Sequence, residues 1–238
     1  MTRTNAFSTT TPRLALSVLA LLIAGCAERK TPPASGSDQQ TTPGAPAVID
    51  NAAPVQTPAI PSDQFKFLGD AAAPVRVVEF TDLQCPYCAR FARETFPLLR
   101  ERYIDTGKLR FESVDLPLSM HPFAIPAAIA ARCAGEQGRY WDYREKVFEE
   151  QNLLGQRPFT QFAGALGLDI ARFELCRLQD SRLAEIRADA ERAHALDISS
   201  TPTFLIGRMA DGKFESETVS GAQPPEVFVT RIERLLAQ

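Results

Sequence analysis

Two cysteines three positions apart, between a strand pattern and a helix pattern, constrain the fold of this chain more than any other feature. The stretch reads EFTDLQCPYCARF over residues 79–91. The β-branched and aromatic run over residues 75–80 is typical of a buried strand. Apolar positions then recur at helical spacing from Pro86 to about Thr106, and Pro97 should kink that helix. A second strand pattern over residues 109–116 completes a strand–helix–strand unit, which predicts a parallel crossover in an α/β sheet.

The cysteine pair allows a metal site, a structural disulfide or a redox centre. With Cys85 at the helix cap, Pro86 falls on the first helical position, where a missing N–H does no harm. The helix start stabilises an anion, so we expect a lowered pKa and a presented, nucleophilic thiol at Cys85. Cys88 lies one turn further along the same face, partly covered and near enough for a disulfide. This asymmetry favours thiol–disulfide exchange, in which one sulfur attacks and the other resolves.

The metal alternative finds little support in the rest of the sequence. A structural zinc site needs four ligands, usually from two such cysteine pairs or from one pair with suitably spaced histidines. The chain has no second CxxC, and its two histidines, His121 and His194, stand alone. We take His121 to be a loop or helix-start residue rather than a catalyst. We therefore expect neither a metal nor a cofactor.

The remainder of the chain predicts an α/β fold with an all-helical insertion between its two halves. The helical pattern runs from about residue 122 to 196, with breaks at residues 135–138, 155–158 and 164–169. A short strand over residues 203–206, a turn at Asp211-Gly212, a weak strand over 218–220 and a last helix over about 225–236 follow.

The amino terminus is predicted to be an export signal. Residues 1–25 combine a basic start with an apolar run over 14–24 that is too short for a membrane span of about 20 residues. The ending Ile23-Ala24-Gly25-Cys26 resembles a bacterial lipobox, which implies cleavage before Cys26 and lipidation of its thiol. Ordinary cleavage nearby, with an unmodified Cys26, is the alternative. In lipoproteins of this type, Ala27 after the cysteine suits the outer membrane of a diderm host.

Composition separates a tether from a globular domain. Residues 27–64 hold seven prolines and no aromatic residue, so residues 26–64 are predicted to be a semi-extended tether. The domain then spans residues 65–238, a size suited to one core. The net charge of −3 does not indicate the basic surface that nucleic-acid binding requires.

The number of cysteines indicates a second cysteine pair besides Cys85 and Cys88. Five is odd, and an exported protein normally pairs its cysteines, so setting Cys26 aside leaves four. Cys85 and Cys88 form the close pair. Cys133 and Cys176 remain to pair with each other across 43 positions, as a structural disulfide within the helical insertion.

Several motifs in order over nearly all of residues 65–238 resemble the DsbA-like thiol:disulfide oxidoreductases, which have a thioredoxin fold with a helical insertion. Besides CPYC, Glu79 stands six positions before Cys85, where that family places a buried acid beneath the resolving cysteine. The sequence Ser200-Thr201-Pro202-Thr203-Phe204 resembles the cis-proline loop of the family. The stretches RCAGEQGRYW over residues 132–141 and FELC over residues 173–176 resemble the helices of the insertion.

The resemblance implies roles for individual residues. Cys85 would be the nucleophile, Cys88 would resolve, and a buried Glu79 would relay a proton to or from Cys88. A Glu79 carboxylate on an edge strand facing water is the alternative. The substrate would be held by Thr201 and Pro202 together with the Pro86-Tyr87 dipeptide. A trans proline at a strand start is the alternative for Pro202.

The resulting functional hypothesis is an extracytoplasmic, lipid-anchored, monomeric thiol:disulfide oxidoreductase that faces the periplasm. Its partners would be exported proteins with thiols or disulfides, and a membrane redox partner that resets the CPYC pair. We favour an oxidase, although Pro86, Tyr87 and Thr201 look closer to glutaredoxin-like reductases and disulfide isomerases. Against an isomerase, residues 27–64 are expected to be only a tether and not the dimerising domain that those proteins carry. A chaperone, or a protein that binds Cu(I) through two thiolates, is a further alternative.

Overall fold

A computed structural model describes residues 64–238 of the chain. The predicted signal peptide over residues 1–25 and the lipidation site at Cys26 lie outside the described residues. The tether predicted over residues 26–64 also lies outside them, apart from Gln64, which begins a 3₁₀ turn at Gln64–Lys66.

The described residues contain a five-stranded mixed sheet. Its strands are Phe67–Leu68 (β1), Val75–Thr81 (β2), Leu109–Asp115 (β3), Thr203–Ala210 (β4) and Lys213–Ser220 (β5). The order across the sheet is β1-β3-β2-β4-β5. Strands β2 and β3 are parallel, as the crossover unit predicts, and the other pairs are antiparallel. Strand β2 is central and buried, since six of its seven residues are inaccessible to solvent.

Helices cover the sheet and form the insertion. Between β2 and β3 lie the helices Pro86–Glu94 (α1) and Phe96–Leu99 (α2), and a π-helical turn, Arg100–Ile104, follows α2. The last helix, Pro225–Leu236 (α8), follows β5. Between β3 and β4 lie Ala124–Gly135 (α3), Tyr140–Glu149 (α4), Phe159–Ala165 (α5), Ile170–Arg177 (α6) and Asp180–His194 (α7). The predicted α/β fold, with an all-helical insertion between its halves, is confirmed.

Helix α1 joins two regions of the core. Its Phe91 ring lies 4.4 Å from that of Phe204 on β4 and 5.3 Å from that of Phe228 on α8. Cys88 and Ala89 belong instead to the cluster formed with the insertion helices. The CPYC segment is therefore held between the sheet and the insertion, which fixes the start of α1 against both.

The first helix is interrupted close to Pro97, as predicted: α1 ends at Glu94 and α2 begins at Phe96, because proline disfavours helical continuation on its amino-terminal side. Two other element boundaries differ from the sequence prediction. The insertion has a further break at Leu178 and Gln179. The last hairpin is longer than predicted, because β5 pairs with β4 along its whole length although most of its side chains are exposed and polar.

Candidate active site

The helix start that carries CPYC has the geometry that its sequence favours. Cys85 is the N-cap residue, with φ −72° and ψ 123°, and Pro86 takes the first helical position. The Cys85 carbonyl accepts the N–H of Ala89 at 3.1 Å, which closes the first turn. Pro86 has no N–H to leave unpaired in this turn, and the backbone N–H groups of Tyr87 and Cys88 are directed at the Cys85 sulfur.

The Cys85 thiol has a lowered pKa but is covered. Its pKa is lowered to about 5, first by hydrogen bonding from the Cys88 thiol, and also by the Thr201 hydroxyl and the backbone N–H groups of Tyr87 and Cys88. Cys85 is 3% exposed, which corrects the prediction of a presented thiol. The cis-proline loop is the cause, since Cys85 Sγ lies 3.5 Å from the Thr201 carbonyl oxygen.

Cys88 has the opposite character. It is fully buried, and neither Cys88 nor Cys85 is in a disulfide. Burial is the main reason that the pKa of Cys88 stands well above its usual range, and the negative charges of Cys85 and Glu79 raise it further. The lowered pKa of Cys85 and the raised pKa of Cys88 suit a nucleophile and a resolving cysteine, respectively.

Glu79 lies on the central strand and not at an edge, so the alternative of a carboxylate facing water is wrong. It is fully buried, and Oε2 accepts a hydrogen bond from the guanidinium of the equally buried Arg144. Burial raises the pKa of Glu79, although the charge of Arg144 acts in the opposite direction. The second oxygen, Oε1, has no hydrogen-bond partner among residues 64–238.

Sequence reasoning missed Arg144. The side chain lies on α4, and its guanidinium carbon sits 4.9 Å from the centroid of the Phe148 ring. The signal was available, because Tyr140, Arg144 and Phe148 recur at four-residue spacing and so share one helix face. A face with two large aromatic residues is a buried face, and an arginine there needs an acidic partner.

The proline loop packs against CPYC. The Thr201-Pro202 peptide bond is cis, so the alternative of a trans proline is wrong. The Pro202 carbonyl accepts the N–H of Gly221 at 2.8 Å. Tyr87 is 56% exposed beside this loop, and a groove of about 570 Å³ lies between them. Thr201 and Tyr87, two of the predicted substrate-binding residues, both line the groove.

Asp82 organises the loop before CPYC and was also missed. Its buried carboxylate accepts the N–H of Gln84 at 2.7 Å and the N–H of Leu118 at 2.8 Å, and contacts His121 Nδ1 at 2.7 Å. The backbone N–H of Asp82 points at Cys88 Sγ, 3.5 Å away. His121 is thus a loop residue, as predicted, whose ring fixes the carboxylate that shapes the cysteine loop.

Cys133 and Cys176 form a disulfide between α3 and α6, with their Cα atoms 5.7 Å apart. Both residues are buried inside the insertion. Within residues 64–238, no group of three or more His, Cys, Asp or Glu side chains is placed to hold a metal ion.

The comparisons with known proteins agree with this geometry. A family model described as Thioredoxin matches residues 62–222, and the chain belongs to this family. Within it the chain is DsbA-like. The solved structure of α-DsbA1 from Wolbachia pipientis is 27% identical, covers 75% of this chain and 92% of its own, and superposes with a TM-score of 0.66.

Two further solved structures share the fold. DsbA2 from Pseudomonas aeruginosa is 25% identical, with a TM-score of 0.58 over 72% of this chain and 93% of its own. BdbD from Bacillus subtilis is 22% identical, with a TM-score of 0.63 over 74% of this chain and 94% of its own.

The curated relatives carry a different name. The Na(+)/H(+) antiporter NhaA 3 of Salinispora tropica is 37% identical over 157 residues, which make up 65% of this chain and 23% of the antiporter. NhaA 1 of Salinispora arenicola is 36% identical over 69% of this chain and 25% of its own. The chain spans about a quarter of the length of these relatives. No helix in residues 64–238 is long and apolar enough to cross a membrane.

Proposed function

We propose that this thioredoxin-family protein is a thiol:disulfide oxidoreductase that oxidises protein thiols. The direction of the reaction, oxidation of the substrate, is inferred from the difference between the pKa values of the two cysteines. The pKa of Cys85 is lowered to about 5, while that of Cys88 is raised. A stabilised thiolate favours the reduced form of the pair, which makes its disulfide a stronger oxidant.

In the proposed reaction a substrate thiolate attacks Cys85 Sγ of the oxidised pair. The Cys85–Cys88 bond breaks, a mixed disulfide forms, and Cys88 leaves as a thiolate that takes up a proton. A second substrate thiolate then attacks the substrate sulfur, so that Cys85 departs as a stable thiolate. The substrate gains one disulfide and the pair is reduced by two electrons, which a partner protein carrying a disulfide must accept afterwards.

Glu79 is the proposed proton donor for Cys88. It is buried, its pKa is raised, and its charge acts on the Cys88 thiol. Replacing it by Gln keeps the shape and removes only the titratable group. We expect Glu79→Gln to slow oxidation and reduction of the pair without unfolding the domain. A rate that equals that of the unmodified protein from about pH 5 to about pH 9 would contradict the role.

The location proposed for this chemistry is extracytoplasmic, with the chain exported by residues 1–25 and anchored through a lipid on Cys26 in front of the domain. The support is the sequence pattern at the amino terminus. Substrates would then be exported proteins that carry thiols, and a membrane redox partner would reset the pair. Mass spectrometry of the amino terminus, isolated from cells that make the full chain, tests the lipid directly.

Two measurements test the proposed activity. The first is the reduction potential of the Cys85–Cys88 pair in glutathione buffers, which should be well above that of thioredoxin, about −270 mV. A potential at or below this value would favour the reductase alternative. The second uses Cys88→Ala, which should capture substrates as long-lived mixed disulfides through Cys85. Capture through Cys133 or Cys176 would instead assign redox chemistry to the insertion.

The Cu(I) alternative predicts a different result. Protein purified under reducing conditions would contain stoichiometric metal, which Cys85→Ser would remove. Catalytic disulfide formation in a reduced peptide substrate by metal-free protein, with glutathione disulfide as the electron acceptor, would exclude copper as the agent of the reaction.

A further inference from the structure

Thr81 shares one face of β2 with Glu79. Successive side chains of a strand point to opposite faces of the sheet, so residues two positions apart point to the same face. Glu79 meets Arg144 of α4 there, which means that this face looks towards the insertion. Cys88 is buried among side chains of the same insertion, and its Sγ lies 3.5 Å from the backbone N of Asp82, the residue after Thr81. The carboxyl of Glu79 and the thiol of Cys88 therefore both lie near Thr81.

The hydroxyl of Thr81 is a buried group with unfilled hydrogen-bonding capacity. Thr81 is 1% exposed, and its Oγ1 has no hydrogen-bond partner in the part of the chain that the structure describes. The same holds for Glu79 Oε1, while Oε2 accepts a hydrogen bond from Arg144. A hydroxyl donates one hydrogen bond and accepts others, so it suits a position between a donor and an acceptor. A buried hydroxyl that pairs with nothing costs free energy, and active sites are a common place for such groups.

The pKa values of the thiol and the carboxyl place this hydroxyl close to both groups. Burial raises the pKa of Cys88 and that of Glu79, and hydrogen bonding from Thr81 acts in the opposite direction on each pKa. Glu79 acts on Cys88 through its charge instead. Neither contact of Thr81 has the geometry of a full hydrogen bond in the reduced pair, which is common in a resting site, because catalytic hydrogen bonds tighten during the reaction. A proton that passes between Glu79 and Cys88 therefore finds the Thr81 hydroxyl on its path.

We infer that the hydroxyl of Thr81 carries the proton between Glu79 and Cys88. When the Cys85–Cys88 bond breaks, Cys88 leaves as a thiolate. Its sulfur takes the hydroxyl proton of Thr81, which in turn takes the carboxyl proton of Glu79. The net change is one S–H bond formed at Cys88 and one O–H bond broken at Glu79, with Thr81 unchanged. The carboxylate left beside Arg144 regains its proton from the solvent. The inference rests on the proton-donor role proposed for Glu79 and adds the residue that connects this donor to the thiol.

Reduction of the oxidised pair by dithiothreitol measures this step, since Cys88 is then the leaving group whether the protein acts as an oxidase or as a reductase. Samples are quenched with acid at short times, and the free thiols are counted by alkylation. Thr81→Val removes the hydroxyl and keeps the volume, so no water can replace it, and the rate should fall by at least about tenfold. Thr81→Ser keeps the hydroxyl and should restore most of the rate. The Tm of each variant checks that it is folded.

Ser113→Ala is the matched control. Ser113 is buried beside Glu79 on the neighbouring strand β3, and its hydroxyl accepts a hydrogen bond from Tyr140 at 3.0 Å. The variant therefore loses a buried hydroxyl that is close to the carboxyl but pairs with another side chain. Its rate of reduction should equal that of the unmodified chain.

A double substitution separates a relay from a change in packing. In a relay, Glu79→Gln and Thr81→Val interrupt the same path, so the double variant should be no slower than the slower single variant. Two independent effects would multiply instead. The solvent isotope effect gives a second measurement, because the relayed protons move as the disulfide breaks. At equal concentrations of dithiothreitol thiolate, reduction of the unmodified chain should be slower in deuterium oxide, and this difference should shrink in Thr81→Val.

The outcomes distinguish a failure of the relay from a failure of the donor. An unchanged rate in Thr81→Val, a rate in Thr81→Ser as low as that in Thr81→Val, or multiplied effects in the double variant would each overturn the relay. If Glu79→Gln alone keeps the full rate, the proposed donor is wrong and the relay falls with it. A slow Glu79→Gln beside an unimpaired Thr81→Val overturns the relay and leaves the donor in place.

Discussion

The acidity of Cys85 depends on a hydroxyl that can be removed without changing the shape of the site. In the thiol form Cys85 Sγ donates to the Thr201 carbonyl oxygen at 3.5 Å. In the thiolate form the sulfur becomes an acceptor, and the Thr201 hydroxyl lowers the Cys85 pKa. That hydroxyl is buried and has no hydrogen-bond partner among residues 64–238, so it is available to the sulfur when the thiolate forms. Thr201→Val deletes the donor and retains the volume.

The expected size of the effect follows from the strength of such a contact. A hydrogen bond to a charged group contributes about 1.5–3 kcal/mol, and the lower end suits a sulfur acceptor. One pKa unit corresponds to about 1.4 kcal/mol, so the Cys85 pKa should rise by about one unit. At neutral pH the thiolate remains the main form, so the reduced pair loses about 1.4 kcal/mol. The reduction potential should therefore fall by about 30 mV.

The assay is the pH dependence of Cys85 alkylation, followed by equilibration of the pair with glutathione. Thr203→Val is the matched control, because its hydroxyl donates to the Ser200 carbonyl at 2.7 Å and not to the sulfur. The control should keep the pKa of Cys85 and the potential of the pair. An unchanged or lower Cys85 pKa in Thr201→Val would refute the assignment of the hydroxyl.

Three further results are expected. Because the pKa of Cys85 is lowered to about 5, its stabilising contribution is present above the unfolded pKa of about 8.5 and is lost as the pH falls towards 5. Urea titrations should therefore show the reduced protein gaining about 1.4 kcal/mol per pH unit over Cys85→Ala in that interval, and equal slopes would contradict the assignment. Replacing Cys133 and Cys176 by Ala should cost about 4 kcal/mol, seen by calorimetry as a Tm lower by roughly 10 °C, while the potential of the other pair stays unchanged. Asp82→Asn should raise the Cys85 pKa and shift the potential through a looser cysteine loop, as measured by alkylation, and a change in Tm alone would argue for a purely structural role.

The parts of the site that follow local rules could be predicted from the sequence. The helix start at Cys85 and Pro86 depends on capping and on the fixed φ of proline, both of which act within one turn. The strand before it depends on a β-branched and aromatic run that ends one residue before the strand does. These local rules do not predict that the Cys85 thiol is covered. Cys85 is buried because a loop 116 positions away packs on it. The partner that hides the thiol comes from tertiary packing, and no local pattern contains it.

The hairpin of β4 and β5 shows the same limit at a larger scale. The sequence of β5, KFESETVS, has one buried position, so its hydrophobic pattern predicts only a short strand. The pairing of β5 with β4 nevertheless runs through all eight of its residues, and alternate residues exchange backbone hydrogen bonds with β4. Edge strands of this kind are specified by the neighbour and the turn, since the exposed face imposes no apolar alternation.

The helical insertion supplies positive charges that pair with buried carboxylates of the sheet. Glu79 on β2 and Asp115 on β3 are both buried, and a buried carboxylate that remains charged needs a cation. Arg144 on α4 pairs with the first, and Arg132 on α3 donates to the second at 2.8 Å. Two strands of the sheet therefore depend on two helices of the insertion. Removing the insertion would leave both carboxylates without these partners, next to a thiol whose pKa responds to Glu79. The insertion is thus part of the electrostatics of the cysteine pair.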